Sequence, residues 1–236
     1  MLGNLKKKKN RPIYMDCYKG IYYPIESSDS CGVIKSLLSG RIWEKKIVDL
    51  YKSIVKEGDI VLDCGAFIGL HTLELSKLVK DTGKVYCFEP IPKVAECLER
   101  TLEKKMISNV VLTKRPLYNS SNKELSFVSD HNGLSSVSEY RRKPFKYNYN
   151  FLSTTIDDFI NQSTANGNIS FIKIDVEGSE FKVLEGAIKT IKKHRPVIVF
   201  ETWKNKRNLD KLDNWCEIHR YEKTFISCDN YVLDPL

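Results

Sequence analysis

The sequence predicts an α/β protein of the doubly wound, Rossmann-like class, in which a central, mostly parallel sheet has helices on both faces and a C-terminal antiparallel pair of strands. Two observations predict this class. From residue 58 onward, short apolar runs of strand length alternate with segments whose apolar residues recur at helical spacing. Glycine-rich or acidic turns follow several of the apolar runs. With 236 residues, 42% of them hydrophobic, the chain can bury the core of one such domain.

The first half of the chain contains a leading helix and then a strand–helix–strand–helix–strand unit. The predicted elements are, in order, a helix over 41–55 that Gly58 ends, a strand over 60–62, a helix over 70–78, a strand over 85–88, a helix that Pro90 and Pro92 open, and a strand over 110–112. In the last of these helices Val94, Leu98 and Leu102 recur every four residues. That spacing places them on one face, which can pack on the sheet.

The second half continues the alternation after an interruption. Residues 116–151 are short polar and aromatic pieces without a clear period, and we interpret them as a hairpin or a lid insertion. The predicted elements that follow are a short helix over 156–160, a strand over 169–174, a helix over 181–191, a strand over 196–200, a last helix near 209–216, and a terminal antiparallel pair at 225–226 and 231–233.

Most of the excess positive charge lies near the N-terminus. The net charge is +8, and residues 1–52 hold +6 of it. We therefore predict a basic N-terminal arm, 1–40, and a single domain, 41–236, which carries the insertion. A basic arm can contact an anionic partner or remain a solvated tail. Because Lys outnumbers Arg 29 to 9, the chain is poor in the planar fork that suits phosphate and guanine, which disfavours nucleic acid as a partner. The oligomeric state stays open.

The sequence favours a cytoplasmic location. No apolar stretch reaches the roughly 18 residues of a membrane helix, so we expect no membrane insertion. The basic N-terminus lacks the apolar run of a secretory signal. The seven cysteines are an odd number without a C-x-x-C pair, which disfavours a disulfide framework and a zinc ribbon.

The turn after the first sheet strand resembles a nucleotide-binding turn. It carries Asp63, Gly65, Ala66 and Gly69, and glycines four apart allow a ligand to approach the backbone at a helix start. The turn lacks the G-x-G-x-x-G pattern of pyrophosphate sites, so an adenosyl ligand without phosphate fits better.

An acidic residue also follows the second strand of the unit. Glu89 lies 24 residues after Gly65 and precedes Pro90. In this architecture such an acid reaches a ribose diol, although an acid after a strand is also a common helix cap.

Acidic residues also follow two later strands. Asp175 and Glu177 come at the carboxyl end of the strand over 169–174, and Glu201 ends the next strand. Two residues apart in extended chain, Asp175 and Glu177 would point to one side. A hydroxyl acceptor needs a proton acceptor beside it, directly or through a metal, and carboxylates serve either purpose. We predict Asp175, Glu177 and Glu201 as catalytic residues. The alternative is that these acids only cap the following helix.

Five motifs resemble the FkbM-type S-adenosylmethionine-dependent methyltransferases in order and spacing. They are D-x-G-A-x-x-G, F-E-P, T-I-D-D-F, F-I-K-I-D-V-E-G-S-E-x-x-V-L-x-G-A and R-P-V-I-V-F-E, over roughly residues 58–203. The resemblance implies a class I methyltransferase fold and O-methylation, commonly of a sugar or polyketide hydroxyl. It implies that Asp63, Gly65 and Gly69 line the methionine end of S-adenosylmethionine, that Glu89 holds the ribose, and that Asp175 and Glu177 face the acceptor.

The chain departs from the family pattern at Phe67, where Asn is frequent. The sulfonium of S-adenosylmethionine carries a fixed positive charge, which favours nearby carboxylates such as Asp63. A divalent metal held by Asp175 and Glu201 stays an open alternative. We therefore expect an S-adenosylmethionine-dependent enzyme with a small-molecule or glycan hydroxyl acceptor.

Two other functions are compatible with the sequence. An RNA 2′-O-methyltransferase would need a Lys-Asp-Lys-Glu constellation, for which Asp175 and Glu201 supply the acids and Lys45 or Lys46 one base, without a convincing second lysine. A catalytically silent adenosine-binding scaffold is the non-enzymatic alternative. In the insertion, aromatic residues could stack on a sugar and basic residues could bind an acidic group; these residues are Tyr140, Phe145, Tyr147, Tyr149 and Phe151, with Arg141, Arg142 and Lys143. For His71 a core or surface position is favoured over a ligand contact.

Overall fold

A computed structural model describes residues 15–27, 30–130, 135–140, 146–163 and 167–236. The elements up to the insertion are β1 (Met15–Tyr18), β2 (Ile21–Pro24), α1 (Gly32–Leu38), α2 (Lys45–Ile54), β3 (Ile60–Cys64), α3 (Leu70–Val79), β4 (Lys84–Phe88), α4 (Pro92–Lys105) and β5 (Val110–Thr113). The insertion contains β6 (Glu124–Ser129), β7 (Ser136–Val137) and β8 (Tyr147–Leu152). The remaining elements are α5 (Ile156–Gln162), β9 (Ile169–Ile174), α6 (Glu180–Glu185), α7 (Ile188–His194), β10 (Val197–Glu201), α8 (Lys206–His219), β11 (Tyr221–Ser227) and β12 (Asn230–Pro235).

A seven-stranded sheet organises the molecule, in the order β11-β12-β10-β9-β3-β4-β5. The pairs from β10 to β5 are parallel, whereas β12 pairs antiparallel with both β10 and β11. This confirms the predicted fold class and its C-terminal antiparallel pair. In chain order, β4 and β5 are added on one side of β3, and β9 then pairs with the other side of β3. In such sheets, ligands bind at the carboxyl ends of the strands where the order reverses. Within the described ranges, no helix is long and apolar enough to cross a membrane.

The central strands are buried on both faces, which explains their nearly continuous apolar sequences. All five residues of β3 are buried. On one face Leu62 and Ile172 pack against α6, α7 and α8, and on the other Val61, Phe171 and Val199 pack against α2 and α3. The helices therefore cover both sides of the sheet, and the carboxyl edge remains for a site.

The described part of the predicted N-terminal arm packs on the domain. The strands β1 and β2 form an antiparallel hairpin, and α1 follows it. Met15, Tyr23 and Ile34 from this segment share one apolar cluster with Val94 of α4 and Phe127 of β6. The described residues 15–27 and 30–38 are thus folded against α4 and the insertion, which bury their apolar side chains. The basic run 6–9 lies outside the described residues.

The insertion forms a small antiparallel sheet in the order β7-β6-β8. Leu125 of β6 stands opposite Phe151 of β8. The insertion is thus a three-stranded antiparallel sheet in which β6 pairs with both β7 and β8. Its action as a lid stays a prediction. Of the predicted sugar and anion contacts, Arg141, Arg142, Lys143 and Phe145 lie outside the described residues.

The helix predicted over 181–191 is in fact two helices. α6 ends at Glu185 and α7 begins at Ile188, so the prediction of one helix was wrong. A Cβ atom on Gly186 would lie 2.2 Å from the backbone oxygen of Tyr118, which shows how closely the chain approaches there. The Asp157 carboxylate accepts hydrogen bonds from the backbone N–H groups of Lys189 and Thr190, and so stabilises the new helix start.

Candidate active site

A cleft opens at the carboxyl ends of β3, β4, β9 and β10, at the point where the strand order reverses. It encloses about 1030 Å³ of empty space, including its open mouth. Seven of the nine predicted site residues line it, and Asp63 and Gly69 do not. The lining comes from the strand ends, from the starts of α2 and α3, and from the insertion: Trp43, Glu44, Gly65, Ala66, Phe67, His71, Glu89, Pro90, Phe127, Lys173, Asp175, Glu177 and Glu201.

The glycine turn after β3 packs against the end of β9. Gly65 has φ +93°, and a Cβ atom there would lie 1.7 Å from the backbone oxygen of Asp175. Its N–H donates to the backbone oxygen of Phe88 at 3.1 Å. Gly69, with φ +85°, begins α3 where a Cβ would lie 2.4 Å from Leu98 Cδ1. Gly65 is therefore required by close backbone approach and by its backbone conformation, and Gly69 by its backbone conformation.

Asp63 lies behind this turn. Its side chain is fully buried, and Oδ2 accepts a hydrogen bond from Thr72 Oγ1 at 2.5 Å. Among the described residues, Oδ1 has no hydrogen-bond partner. A buried carboxylate with a spare acceptor contributes negative potential beneath the turn, which suits a cationic ligand above it. Direct contact between Asp63 and a cofactor stays a prediction.

Glu89 holds the turn together at the other end of the cleft. Its Oε2 accepts from the backbone N–H of Phe67 at 3.0 Å, and its Oε1 accepts from the N–H of Ile91 at 2.8 Å. Burial raises the pKa of Glu89 to about 7, against the lowering effect of these two N–H groups. Each oxygen keeps a second lone pair for a ribose hydroxyl. Phe67 has φ +50° and contributes its backbone N–H to Glu89, while its side chain lines the cleft.

Three ionisable side chains meet where β9 and β10 end. Lys173, only 1% exposed, donates to Asp175 Oδ2 at 2.7 Å. Burial raises the pKa of Asp175, but the Lys173 ammonium and a hydrogen bond with Glu201 lower it more, so that this carboxyl is ionised. The negative charge of Asp175, together with burial, raises the pKa of Glu201 well above its usual range, so that Glu201 keeps its proton. The Asp175–Glu201 pair thus holds one proton, next to one buried ammonium.

The turn after β9 does not follow the predicted extended geometry. β9 ends at Ile174, and Glu177 has φ +56°, so Asp175 and Glu177 reach the same cleft through a turn rather than through strand alternation. Glu180 stabilises this turn, because its Oε1 accepts from the backbone N–H groups of Gly178 at 2.7 Å and Val176 at 3.2 Å. In the part of the chain that the structure describes, no side chain caps the start of α6, and Asp175 instead bonds Lys173 and Glu201, so Asp175 does not act as a helix cap.

A group of polar side chains in or behind the cleft wall was not predicted as part of the site. His71 Nδ1 lies 3.0 Å from the hydroxyl of buried Tyr51, and His71 Nε2 lies 3.0 Å from Glu44 Oε2. Asn230 Nδ2 donates to Glu44 Oε1 at 3.1 Å. With Lys173, these side chains form a polar wall beside Asp175. Lys173 could have been identified from the sequence, because it is a lysine between two isoleucines of an apolar strand. The contacts among Glu44, His71 and Asn230 depend on how α2 packs and could not.

Several other predicted contacts lie away from the cleft. Lys45 and Lys46 are exposed, and Lys45 pairs with Asp49 one helical turn away. The Tyr147 hydroxyl donates to Glu26 of the N-terminal segment at 2.8 Å. Among the described residues, no group of three or more His, Cys, Asp or Glu side chains has the arrangement of a metal site. A metal at Asp175 and Glu201 stays a prediction.

Comparison with known proteins gives two family matches. The model of the methyltransferase FkbM domain matches residues 63–223, which is about two thirds of the chain. The model of protein-L-isoaspartate(D-aspartate) O-methyltransferase matches residues 10–115, a segment that ends after β5 and contains the glycine turn and Glu89. The segment that matches this second model contains the half of the sheet for which we predict cofactor binding.

Individual proteins give similar results. The crystal structure of methyltransferase FkbM from Methylobacillus flagellatus KT has a TM-score of 0.53 and 19% identity, over 85% of this chain and 52% of that chain. A candidate rRNA methylase from Clostridium thermocellum has a TM-score of 0.50 and 15% identity, over 80% of this chain and 92% of that chain. The protein-L-isoaspartate O-methyltransferase of Methanococcus aeolicus is 41% identical over 56 residues, which are 24% of this chain and 26% of that protein. The structural matches show the fold, and the chain spans about half of the FkbM structure.

Proposed function

The chain belongs to the FkbM methyltransferase family, and from this membership we propose that it is an S-adenosylmethionine-dependent O-methyltransferase acting on a hydroxyl of a sugar, a glycan or a related small metabolite. The observation that carries the proposal is the hydrogen-bonded carboxyl pair of Asp175 and Glu201, which lines the cleft where the backbone of Asp175 packs against Gly65 of the glycine turn. When bound, S-adenosylmethionine supplies a methyl group that its sulfonium activates toward an oxygen nucleophile.

The residues around the glycine turn suit this cofactor. Gly65 and Ala66 line the cleft, and Glu89 offers lone pairs to a ribose diol. Asp63 adds buried negative charge beneath the turn, where a cationic ligand benefits from it. The residues present therefore fit an adenosyl cation without a pyrophosphate.

The carboxyl pair supplies the proton acceptor that a hydroxyl requires. The ionised Asp175 accepts a hydrogen bond from the acceptor hydroxyl and takes its proton as the oxygen loses electron density to the new bond. Glu201 keeps its own proton, and it orients Asp175 by the hydrogen bond between them. Lys173 remains cationic, so the protonated pair and the ammonium carry one positive charge, and the proton then leaves through the open mouth of the cleft.

A carbohydrate hydroxyl fits the outer part of the cleft. Trp43, Phe67 and Phe127 line it, and aromatic side chains cover the apolar faces of sugar rings well. Acids at its floor accept hydrogen bonds from neighbouring hydroxyl groups. For the RNA alternative, Lys45 and Lys46 would have to reach the acceptor, and both are exposed outside the cleft lining.

A cytoplasmic location accompanies this function in our proposal. All seven cysteines are free, and five of them are buried. Free thiols in this number are usual in a reducing compartment. Nucleotide-linked sugars and their glycan products would be available there as acceptors.

The decisive experiment combines cofactor binding with methyl transfer. We expect S-adenosylmethionine carrying a labelled methyl group to label a member of a panel of nucleotide sugars, free sugars and glycans, with the site located by mass spectrometry. Asp175→Asn should bind S-adenosylhomocysteine by titration calorimetry and lose transfer by about a hundredfold or more. Asp81→Asn, at an exposed aspartate, is the matched control. Labelling of RNA alone, or no binding of either ligand to the folded wild-type chain, would overturn the proposal.

A further inference from the structure

The carboxylate of Glu44 faces the cleft beside the proposed acceptor site. Glu44 immediately precedes α2 and has a left-handed backbone, with φ +45° and ψ +52°. This conformation is uncommon for a residue with a side chain, and it is stable only where surrounding contacts compensate for it. The Glu44 side chain is 16% exposed and lines the cleft.

Both carboxylate oxygens of Glu44 are held from behind. His71 Nε2 lies 3.0 Å from Oε2, and Asn230 Nδ2 donates to Oε1 at 3.1 Å. Burial raises the pKa of Tyr51 well above its ordinary value, so Tyr51 keeps its proton and can donate to His71 Nδ1. His71 Nε2 then carries the proton that it donates to Glu44. The carboxylate is thus fixed in one orientation and keeps one lone pair on each oxygen for a ligand.

Three of the other four acids that line the cleft have different partners. Glu89 bonds two backbone N–H groups at the opposite end of the glycine turn, where the ribose is expected. Asp175 is neutralised by the Lys173 ammonium, and Glu201 is protonated. If Glu89 held the ribose, Glu44, which His71 contacts at the start of α3, would be the carboxylate left for the amino-acid end of the cofactor.

We infer that Glu44 binds the α-ammonium of the methionine part of the cofactor, with His71 and Asn230 as positioning residues. This inference rests on the proposed use of S-adenosylmethionine. A charge-assisted hydrogen bond to an oriented carboxylate is among the stronger polar contacts in proteins. It also explains why the chain keeps a strained residue and a buried histidine at this place.

The test compares ligands that differ in the amino-acid part. Titration calorimetry is carried out with S-adenosylhomocysteine, with its decarboxylated analogue, which keeps the ammonium, and with methylthioadenosine, which has neither group. Glu44→Gln should weaken binding of the first two by about tenfold or more. Its affinity for methylthioadenosine should stay within about twofold of wild type. Glu57→Gln, at an exposed glutamate paired with Lys80 on the surface, is the matched control.

Positioning is tested separately from contact. His71→Gln should weaken binding of the two ammonium ligands by a smaller factor than Glu44→Gln and leave methylthioadenosine binding unchanged. Thermal unfolding of each variant without ligand verifies that it folds.

Equal affinity of Glu44→Gln and wild type for all three ligands would overturn the inference, as would an equal loss for all three. Failure of the folded wild-type chain to bind any of them would instead refute the proposed function, and the inference with it.

Discussion

At the scale of single residues, the two carboxyls of the Asp175–Glu201 pair are not equivalent. The Lys173 ammonium stabilises the charge on Asp175, and that charge in turn keeps the proton on Glu201. Glutamine resembles a protonated glutamate in shape and can also donate a hydrogen bond. We therefore predict that Glu201→Gln retains methyl transfer within about tenfold of wild type, whereas Asp175→Asn loses about a hundredfold or more.

The measurement is the single-turnover rate of methyl transfer at saturating cofactor, for Glu201→Gln and for Asp175→Asn. Glu201→Ala supplies the control, because it removes the hydrogen bond to Asp175 and should lose more activity than Glu201→Gln. If Glu201→Gln were as inactive as Asp175→Asn, Glu201 would have to be the proton acceptor and the assignment would be reversed.

The pKa of Glu89 predicts a pH dependence of cofactor binding. Burial raises this pKa to about 7, so the carboxyl gains its charge between pH 6 and pH 8. The ionised form is the stronger hydrogen-bond acceptor, and none of its lone pairs is taken by a proton. We therefore expect the affinity for S-adenosylhomocysteine to rise by up to about tenfold over this range, measured by titration calorimetry.

Another buried acid titrates over the same pH range and calls for a control. Glu180 also has a pKa raised by burial to about 7, and it holds the turn after β9. Glu89→Gln should bind the ligand more weakly and show little change between pH 6 and pH 8. A pH dependence that persists in Glu89→Gln would assign the effect to another group such as Glu180.

The sequence could predict those site residues that follow strands, and not those that reach the cleft from elsewhere. Asp175, Glu201 and Glu89 line the cleft because the carboxyl ends of parallel strands meet at one edge. Glu44 and His71 meet only because α2 packs beside α3, and no local pattern encodes that contact. Their roles therefore required the structure.

At the scale of elements, apolar runs located the sheet strands well, since strands buried on both faces have continuous apolar sequences. The errors arose where tertiary contacts decide the local structure. The helix over 181–191 is interrupted because Gly186 lies against the backbone of Tyr118. The hairpin over 15–24 and helix α1 went unpredicted because four-residue strands and a seven-residue helix give too short a pattern.

The interrupted helix gives a prediction about Asp157. Its carboxylate accepts from the N–H of Lys189 and from both the N–H and the hydroxyl of Thr190, at 2.7 to 3.0 Å. These are orphan donors at the start of α7. Asp157→Ala should therefore lower the free energy of unfolding by about 1–2 kcal/mol, measured by urea denaturation. Asp81→Ala, at an exposed position, should change it by less than about 0.5 kcal/mol; equal effects would contradict the capping role.

At the scale of the whole molecule, the cleft is bounded by segments that are far apart in sequence. Val33 and Trp43 come from the N-terminal part of the chain, Phe127 comes from the insertion, and both parts share one apolar cluster with α4. Residues 1–14 hold +5 of the +6 counted in residues 1–52, so residues 15–52, which contribute to the site, have a net charge of only +1. A separate arm would have left this side of the cleft open.

This arrangement predicts that residues 15–38 unfold together with the sheet. Trp43 packs on Gly32 of α1, and its ring carbons lie 3.4 Å from the position that a Cβ of Gly32 would take. Trp215 lies on the far side of the sheet, where its ring centroid is 5.4 Å from that of Tyr221. Two single-tryptophan variants test this: one keeps Trp43, the other keeps Trp215, and in each the remaining two tryptophans are replaced by Phe. Both should show the same urea midpoint of unfolding by fluorescence.

Core and surface substitutions then test whether the N-terminal segment contributes to the stability of the whole. Ile34 of α1 is fully buried, so Ile34→Ala should lower the free energy of unfolding by about 2–5 kcal/mol in both single-tryptophan backgrounds. Ile42→Ala, at a position 51% exposed, is the matched control and should change it by less than about 0.5 kcal/mol. If Ile34→Ala lowered the midpoint seen by Trp43 and left that of Trp215 unchanged, residues 15–38 would be a separate unit. A common shift would instead show that the segment that lines the cleft and the sheet that carries the carboxyl pair fold as one body.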